Sequence, residues 1–191
     1  MSLLGVVLAG GRSSRMGRDK AELVWHGQSL LERQAHLLKQ AGCDAVLMAG
    51  RQVTGWPSLP DAQPFRGPVA AIANMMNQIH AMFSLIPGKI IIAPVDMPLL
   101  TPAALQSLLI HPSPLVAYAE NPLPCVMRIT PDLQQKVTTY AKQPGASLKG
   151  LWDIIPEAVW LPRPKQTGFL TNINTPDDWA ALQNMKDVSN S

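Results

Sequence analysis

The sequence predicts an α/β protein in three layers, a mainly parallel sheet with helices on both faces. Two observations carry this. Short apolar runs rich in β-branched residues alternate along the chain with segments of helical period, the pattern of βαβ units whose strands run parallel. In addition, Lys89-Ile90-Ile91-Ile92-Ala93-Pro94-Val95 is almost uninterrupted in apolar character, as a strand covered on both faces must be. The 191 residues, 47% of them apolar, suffice for one compact core, so residues 1–186 are expected to form a single domain and 187–191 a frayed tail.

Leu3 to Leu8 reads as the first buried strand and runs directly into a glycine-rich, cationic loop. Ala21 to Trp25 adds a short extended piece, and His26-Gly27-Gln28 turns the chain. Ser29 and Glu32 form a capping box at the head of a helix striped by Leu30, Leu31, Leu37 and Leu38, which Gly42 ends. Ala45 to Ala49 is a second buried strand. The Pro- and Gly-rich passage from Gly50 to Pro68, which holds Trp56, Asp61 and Arg66, is long enough for a compact domain to imply a function. Gly67-Pro68 opens the next helix, with Val69, Ile72, Met76, Ile79 and Phe83 at helical spacing, and Pro87-Gly88 breaks it ahead of the strand at 89–95. Thr101-Pro102 caps a short helix through Leu109, Leu115 to Ala119 is extended, Glu120 to Pro124 is a loop and Cys125 to Ile129 a strand. Thr130-Pro131-Asp132 starts a helix to about Lys142, Ser147 to Asp153 is a short helix, and Ala158 to Leu161 is strand-like. A polar connector at Pro162 to Thr167 follows, and Thr175 caps a last helix carrying Trp179, Leu182 and Met185.

The loop from Leu8 to Lys20 holds the densest chemistry. Gly10, Gly11 and Gly17 let backbone N–H groups approach a ligand, while Arg12, Arg15, Arg18 and Lys20 supply positive charge, a combination suited to a polyphosphate. Its spacing is neither that of a P-loop nor that of a dinucleotide fingerprint. The alternative, a tight strand-to-helix turn with solvated arginines, requires none of these coincidences. Asp96 stands at the carboxyl end of the 89–95 strand, on the sheet edge where that loop ends the first strand. Ligands collect at such edges, so this carboxylate is placed to hold a cation; otherwise it caps a turn. The net charge of +3 is small and its basic residues concentrate in the first loop, which argues against nucleic acid. No apolar run approaches the roughly 18 residues of a membrane span, and no basic segment precedes the first strand, so a cytoplasmic protein without membrane contact is expected. Cys43 and Cys125 read as buried thiols, and the four histidines lack metal-ligand spacing.

The order L-A-G-G-x-S-x-R-M-G-x-D-K from Leu8 to Lys20 resembles the signature loop of nucleotidyltransferases that activate sugars and cofactors, most of all the molybdenum cofactor guanylyltransferases. The resemblance extends from Leu8 to Asp178 and is dense at the loop, at Asp96 and at the N-x-N-T-P segment from Asn172. It implies a Rossmann-like nucleotidyltransferase fold and Mg²⁺-dependent transfer of GMP from GTP to molybdopterin, or to another phosphorylated small molecule, with release of pyrophosphate. It further implies that Leu8, Ala9 and Gly10 contact guanine and ribose, that Asp61 contacts the nucleotide, that Lys20 meets the phosphates and that Asp96 binds Mg²⁺. Asn172 and Asn174 match the segment near the metal, with Asn174 a candidate ligand; read alone they serve equally as polar turn residues ahead of Thr175. Arg15 and Lys20 are the natural catalytic cations, and the pair Gly10-Gly11 goes with guanine, where related cytidylyltransferases have L-A-A-G. Contacts with molybdoenzymes or cofactor-pathway proteins belong to the same implication. The chain departs from the pattern at Met48 for an asparagine on the nucleotide side, Ala71 for a glycine, Asn121-Pro122 for His-Pro and Ser147 for an arginine. Those departures leave open a sugar phosphate or other small metabolite as acceptor, use of CTP, and a nucleotide-binding accessory protein without turnover.

Overall fold

A computed structural model describes residues 2–10, 16–61, 67–83, 87–164 and 168–185. β1 (Leu3–Leu8) lies inside a seven-stranded sheet, flanked by β4 (Ala45–Ala49) and β6 (Lys89–Pro94), both parallel to it. β5 (Ser58–Leu59) extends the sheet beyond β4, and β8 (Asn121–Arg128), β7 (Leu115–Tyr118) and β9 (Val159–Leu161) extend it beyond β6. β8 alone runs against the others, paired antiparallel to β6 and β7, so the sheet is mainly parallel as the alternation of elements predicts. β2 (Val24–Trp25) and β3 (Gln28–Ser29) form a separate two-stranded hairpin closed by His26 and Gly27, both at positive φ.

Helices cover both faces because successive strand residues point to opposite sides. Val7, Ile91 and Ala93 pack with α1 (Leu30–Gln40), α3 (Pro102–Leu109) and α6 (Pro176–Gln183). Leu4, Val6, Ile90 and Ile92 pack with α2 (Pro68–Met82), α4 (Pro131–Tyr140) and α5 (Leu148–Asp153). The helix starts obey the local chemistry: Ser29 and Glu32 close a full capping box, Thr101, Thr130 and Ser147 each accept a backbone N–H, and Thr175 forms a second box with Asp178.

The chain departs from the sequence reading in three elements. Lys20–Glu22 is a single 3₁₀ turn rather than the start of an extended piece, because the Asp19 carboxylate accepts the Ala21 N–H at 3.0 Å and caps it. The passage after Gly50 contains β5, whose two residues carry too little pattern to read as a strand. β8 begins at Asn121, four residues before the expected Cys125. Its prolines disguise it: Pro122 and Pro124 fall where the pairing with β7 shifts register and before the pairing with β6 begins at Cys125, so neither removes a ladder N–H. Glu120 at φ 66 makes the tight reversal that replaces the expected loop. Among the described residues no helix is long and apolar enough to cross a membrane.

Candidate active site

Register gathers the site. Leu8 pairs with Ala49 on one side and Pro94 on the other, and Ala49 pairs with Leu59, so four parallel strands end together at one edge. There lies a cavity of about 740 Å³, within the range of small-molecule sites. Leu8, Ala9, Gly10, Lys20, Asp61 and Asp96 all line it, six of the residues singled out from the sequence. Gly11 and Arg15 lie outside the described residues, as do Arg12 and Arg66.

Glycine at position 10 is a packing requirement. A Cβ there would stand 3.0 Å from Asp61 Oδ2 and 3.0 Å from the Gly50 Cα, while a Cβ on Gly50, at φ 96, would come within 2.6 Å of the Gly10 backbone. The Ala9 N–H donates to Ala49 O at 2.9 Å and the Gly50 N–H to Leu59 O at 2.9 Å, which holds these two turns against each other. Burial pushes the Asp61 carboxyl above the usual carboxylate range. A half-buried acceptor over a bare backbone is suited to N–H or O–H donors of a nucleoside.

The cationic side of the cavity centres on Lys20. Its Nζ donates to Asn174 Oδ1 at 2.7 Å and to Asp96 Oδ2 at 3.3 Å, joining the first loop, the end of β6 and the segment before α6. Asp96 is fixed through its own backbone, whose carbonyl accepts the Ile173 N–H at 2.8 Å. Asn174 is fixed through Asp178, whose carboxylate accepts the N–H groups of Asn174 at 2.9 Å and Thr175 at 2.8 Å. Those donors hold the Asp178 carboxyl below the usual range, the Asn174 N–H contributing most. Asn172 lines the cavity, whereas Asn174 approaches it through Lys20. Two hard oxygen donors thus converge on one cationic atom, the donor chemistry Mg²⁺ prefers, with one carboxylate as that ion commonly takes. Among the described residues no group of three or more His, Cys, Asp or Glu clusters as a metal site.

Sequence reasoning overlooked Asp19 and Arg51. Asp19 caps the turn that presents Lys20 and pairs with the Arg51 guanidinium, and both line the cavity. Asp19 lies inside the loop motif, and a basic residue two positions past the end of β4 was the available signal for Arg51.

The departures separate once placed. Met48 does not face the cavity: it is 0% exposed in the core beneath α1, and alternation along β4 gives the cavity wall to Ala49 instead. Ser147 caps α5, its Oγ accepting the Gly150 N–H at 3.1 Å, and its neighbour Leu148 lines the wall. Ala71 and Asn121 do line it, and Asn121 Oδ1 is buried without a hydrogen-bond partner among the described residues.

Residues 5–152 match the family described as MobA-like NTP transferase domain. A molybdenum cofactor guanylyltransferase of Xanthomonas euvesicatoria is 36% identical over 183 residues, covering 93% of each chain. One from Rhizobium johnstonii is 32% identical over 92% of this chain and 89% of its own. Among solved structures, the molybdopterin-guanine dinucleotide biosynthesis protein A of Archaeoglobus fulgidus superposes with a TM-score of 0.73 at 19% identity, covering 94% of this chain and 96% of its own. A nucleotidyl transferase from Methanothermobacter superposes at 0.75 with 17% identity over 95% and 96%. At these identities the two structures speak for the Rossmann-like nucleotidyltransferase fold.

Proposed function

The chain belongs to the family of MobA-like NTP transferase domains, and from that premise we propose that it moves GMP from GTP to molybdopterin with release of pyrophosphate. The observation that carries the reading is the meeting of Lys20, Asp96 and Asn174 at the cavity beside the end of β1. The names of its full-length relatives supply the acceptor.

The reaction asks for held charge rather than a protein nucleophile. An oxygen of the acceptor phosphate, already ionised at neutral pH, attacks the α-phosphorus of GTP; a new P–O–P link forms, the bond to the β-phosphate breaks and pyrophosphate leaves with its electron pair. Lys20 is the cation for the phosphates, joined by Arg15 from the same loop. Asp96 and Asn174 would hold Mg²⁺, which when bound neutralises phosphate charge and keeps the phosphates oriented. Leu8, Ala9, Gly10 and Gly11 would receive the guanine and ribose along bare backbone, and Asp61 would accept from the nucleoside. A cytoplasmic location accords with GTP as donor.

Incubation with radiolabelled GTP, Mg²⁺ and molybdopterin is expected to yield labelled dinucleotide and pyrophosphate. Product made from CTP instead would overturn the guanine assignment. A second reading, a different phosphorylated acceptor, is favoured by one observation: the neutral Asn121 lies on the wall with Ala71 and Leu148, and its buried Oδ1 has no hydrogen-bond partner among the described residues. A pyrophosphate-release screen over acceptors separates the two, and turnover confined to molybdopterin removes the second.

A further inference from the structure

We propose that the first two turns of α1 act as a brace that sets the distance between Lys20 and Asp96, with Gln34 and Arg33 as positioning residues for the turn that carries Asp96. The inference rests on reading Asp96 as a metal ligand.

Gln34 is the one polar or charged side chain that is fully buried among the described residues, at 0% exposure. A polar amide in a core costs stability unless it is bonded, and Gln34 is only half satisfied: its Nε2 donates to Met97 O at 2.6 Å, while its Oε1 has no partner among the described residues. An apolar side chain would serve packing better, so what the amide contributes is its grip on Met97. Arg33, one residue earlier, donates from Nε to Pro98 O at 2.8 Å and lays its guanidinium over the Trp25 ring at 4.4 Å. With the Ile173 N–H on Asp96 O at 2.8 Å, three successive carbonyls beyond β6 are each held by a donor from elsewhere in the fold.

The same helix grips the other half of the site. The Leu30 N–H donates to Leu23 O at 2.9 Å, and the Leu23 N–H to Lys20 O at 3.2 Å, so the head of α1 is tied to the turn that presents Lys20. One rigid element therefore holds the backbone behind the cation and the backbone behind the carboxylate. Partners behind a metal ligand fix its orientation, and losing one typically weakens the metal by about 10-fold to 100-fold.

The test uses Mn²⁺ alone, titrated into the nucleotide-free protein and followed by the EPR signal of the free ion, alongside thermal midpoints and the kcat and KM for GTP. Gln34→Met keeps the volume and deletes the donor; it is expected to raise the Mn²⁺ Kd about 10-fold and to lower kcat at fixed metal, with partial recovery at high Mg²⁺. Arg33→Met, at a half-exposed position, is expected to act in the same direction and decides the matter if Gln34→Met does not fold. Lys39→Met provides the contrast: it removes another side chain of α1 that grips a backbone carbonyl, Asp44 O at 2.6 Å, remote from Asp96. It should lower the thermal midpoint and leave the Mn²⁺ Kd unchanged. If Asp96→Asn weakens Mn²⁺ while Gln34→Met and Arg33→Met do not, or if Lys39→Met weakens it equally, the brace is wrong and the metal site stands. If Asp96→Asn leaves Mn²⁺ binding as in the parent, the metal reading falls and takes the brace with it.

Discussion

Asp96 and Gly50 show how much rests on single residues. Asparagine has nearly the shape of aspartate and caps turns nearly as well, so Asp96→Asn is expected to leave the thermal midpoint almost unchanged. Turnover should nevertheless fall at least ~100-fold, the scale of losing one preorganised charged group at a phosphoryl site. Steady-state kinetics with GTP beside a melting curve check this, and near-native turnover would return Asp96 to the role of a turn residue. Gly50 carries no charge, yet its φ of 96 and the 2.6 Å gap to the Gly10 backbone leave no room for a methyl group. Gly50→Ala should cost at least ~1–2 kcal/mol for the left-handed backbone alone. That corresponds to a fall of roughly 3 °C or more in midpoint. Since the displaced neighbour is Gly10, the KM for GTP should rise as well. Calorimetry and kinetics on the same preparation read both effects.

At the scale of elements, α1 joins local and tertiary determinants. Its head is closed by hydrogen bonds from the Ser29 hydroxyl at 2.8 Å and the Ser29 N–H at 3.1 Å to the Glu32 carboxylate. The hydroxyl and then the backbone N–H hold that carboxyl below the usual range. A depressed folded-state value stabilises the protein above the ordinary carboxylate pKa, and the contribution disappears as pH falls through the lowered value. Glu32→Gln keeps a capping box without the charge. The parent should therefore be the more stable of the two at neutral pH, with the gap closing on acidification below the ordinary glutamate range. Midpoints measured across pH check this, and a gap that persists in acid would mean that charge at Glu32 is irrelevant to the cap. The box was legible in the sequence because its two residues sit three apart; the grip of Gln34 and Arg33 on Met97 and Pro98 was not, because more than sixty residues separate the partners.

For the whole molecule, the proposed GTP site makes a prediction of its own. GTP with Mg²⁺ should bind the folded state alone, and at 100 times Kd such binding contributes about 2.7 kcal/mol. For a chain of this size that is roughly 5 °C or more in midpoint. CTP under the same conditions should shift it little, and an equal shift with CTP would refute the guanine preference read from Gly10 and Gly11. The order of residues alone determined the α/β class, the capped helix starts and the isolated carboxylate after β6, because each depends on neighbours within a few positions. Tertiary structure decided the rest. Met48 went to the core and Ala49 to the cavity through the parity of a strand whose faces only packing defines. Asn121 entered β8 despite two prolines because pairing with β7 shifts register there. Lys20, Asp96 and Asn174, spread over 154 residues, became one site because parallel strands end at a common edge, and that register is set by contacts no local stretch contains.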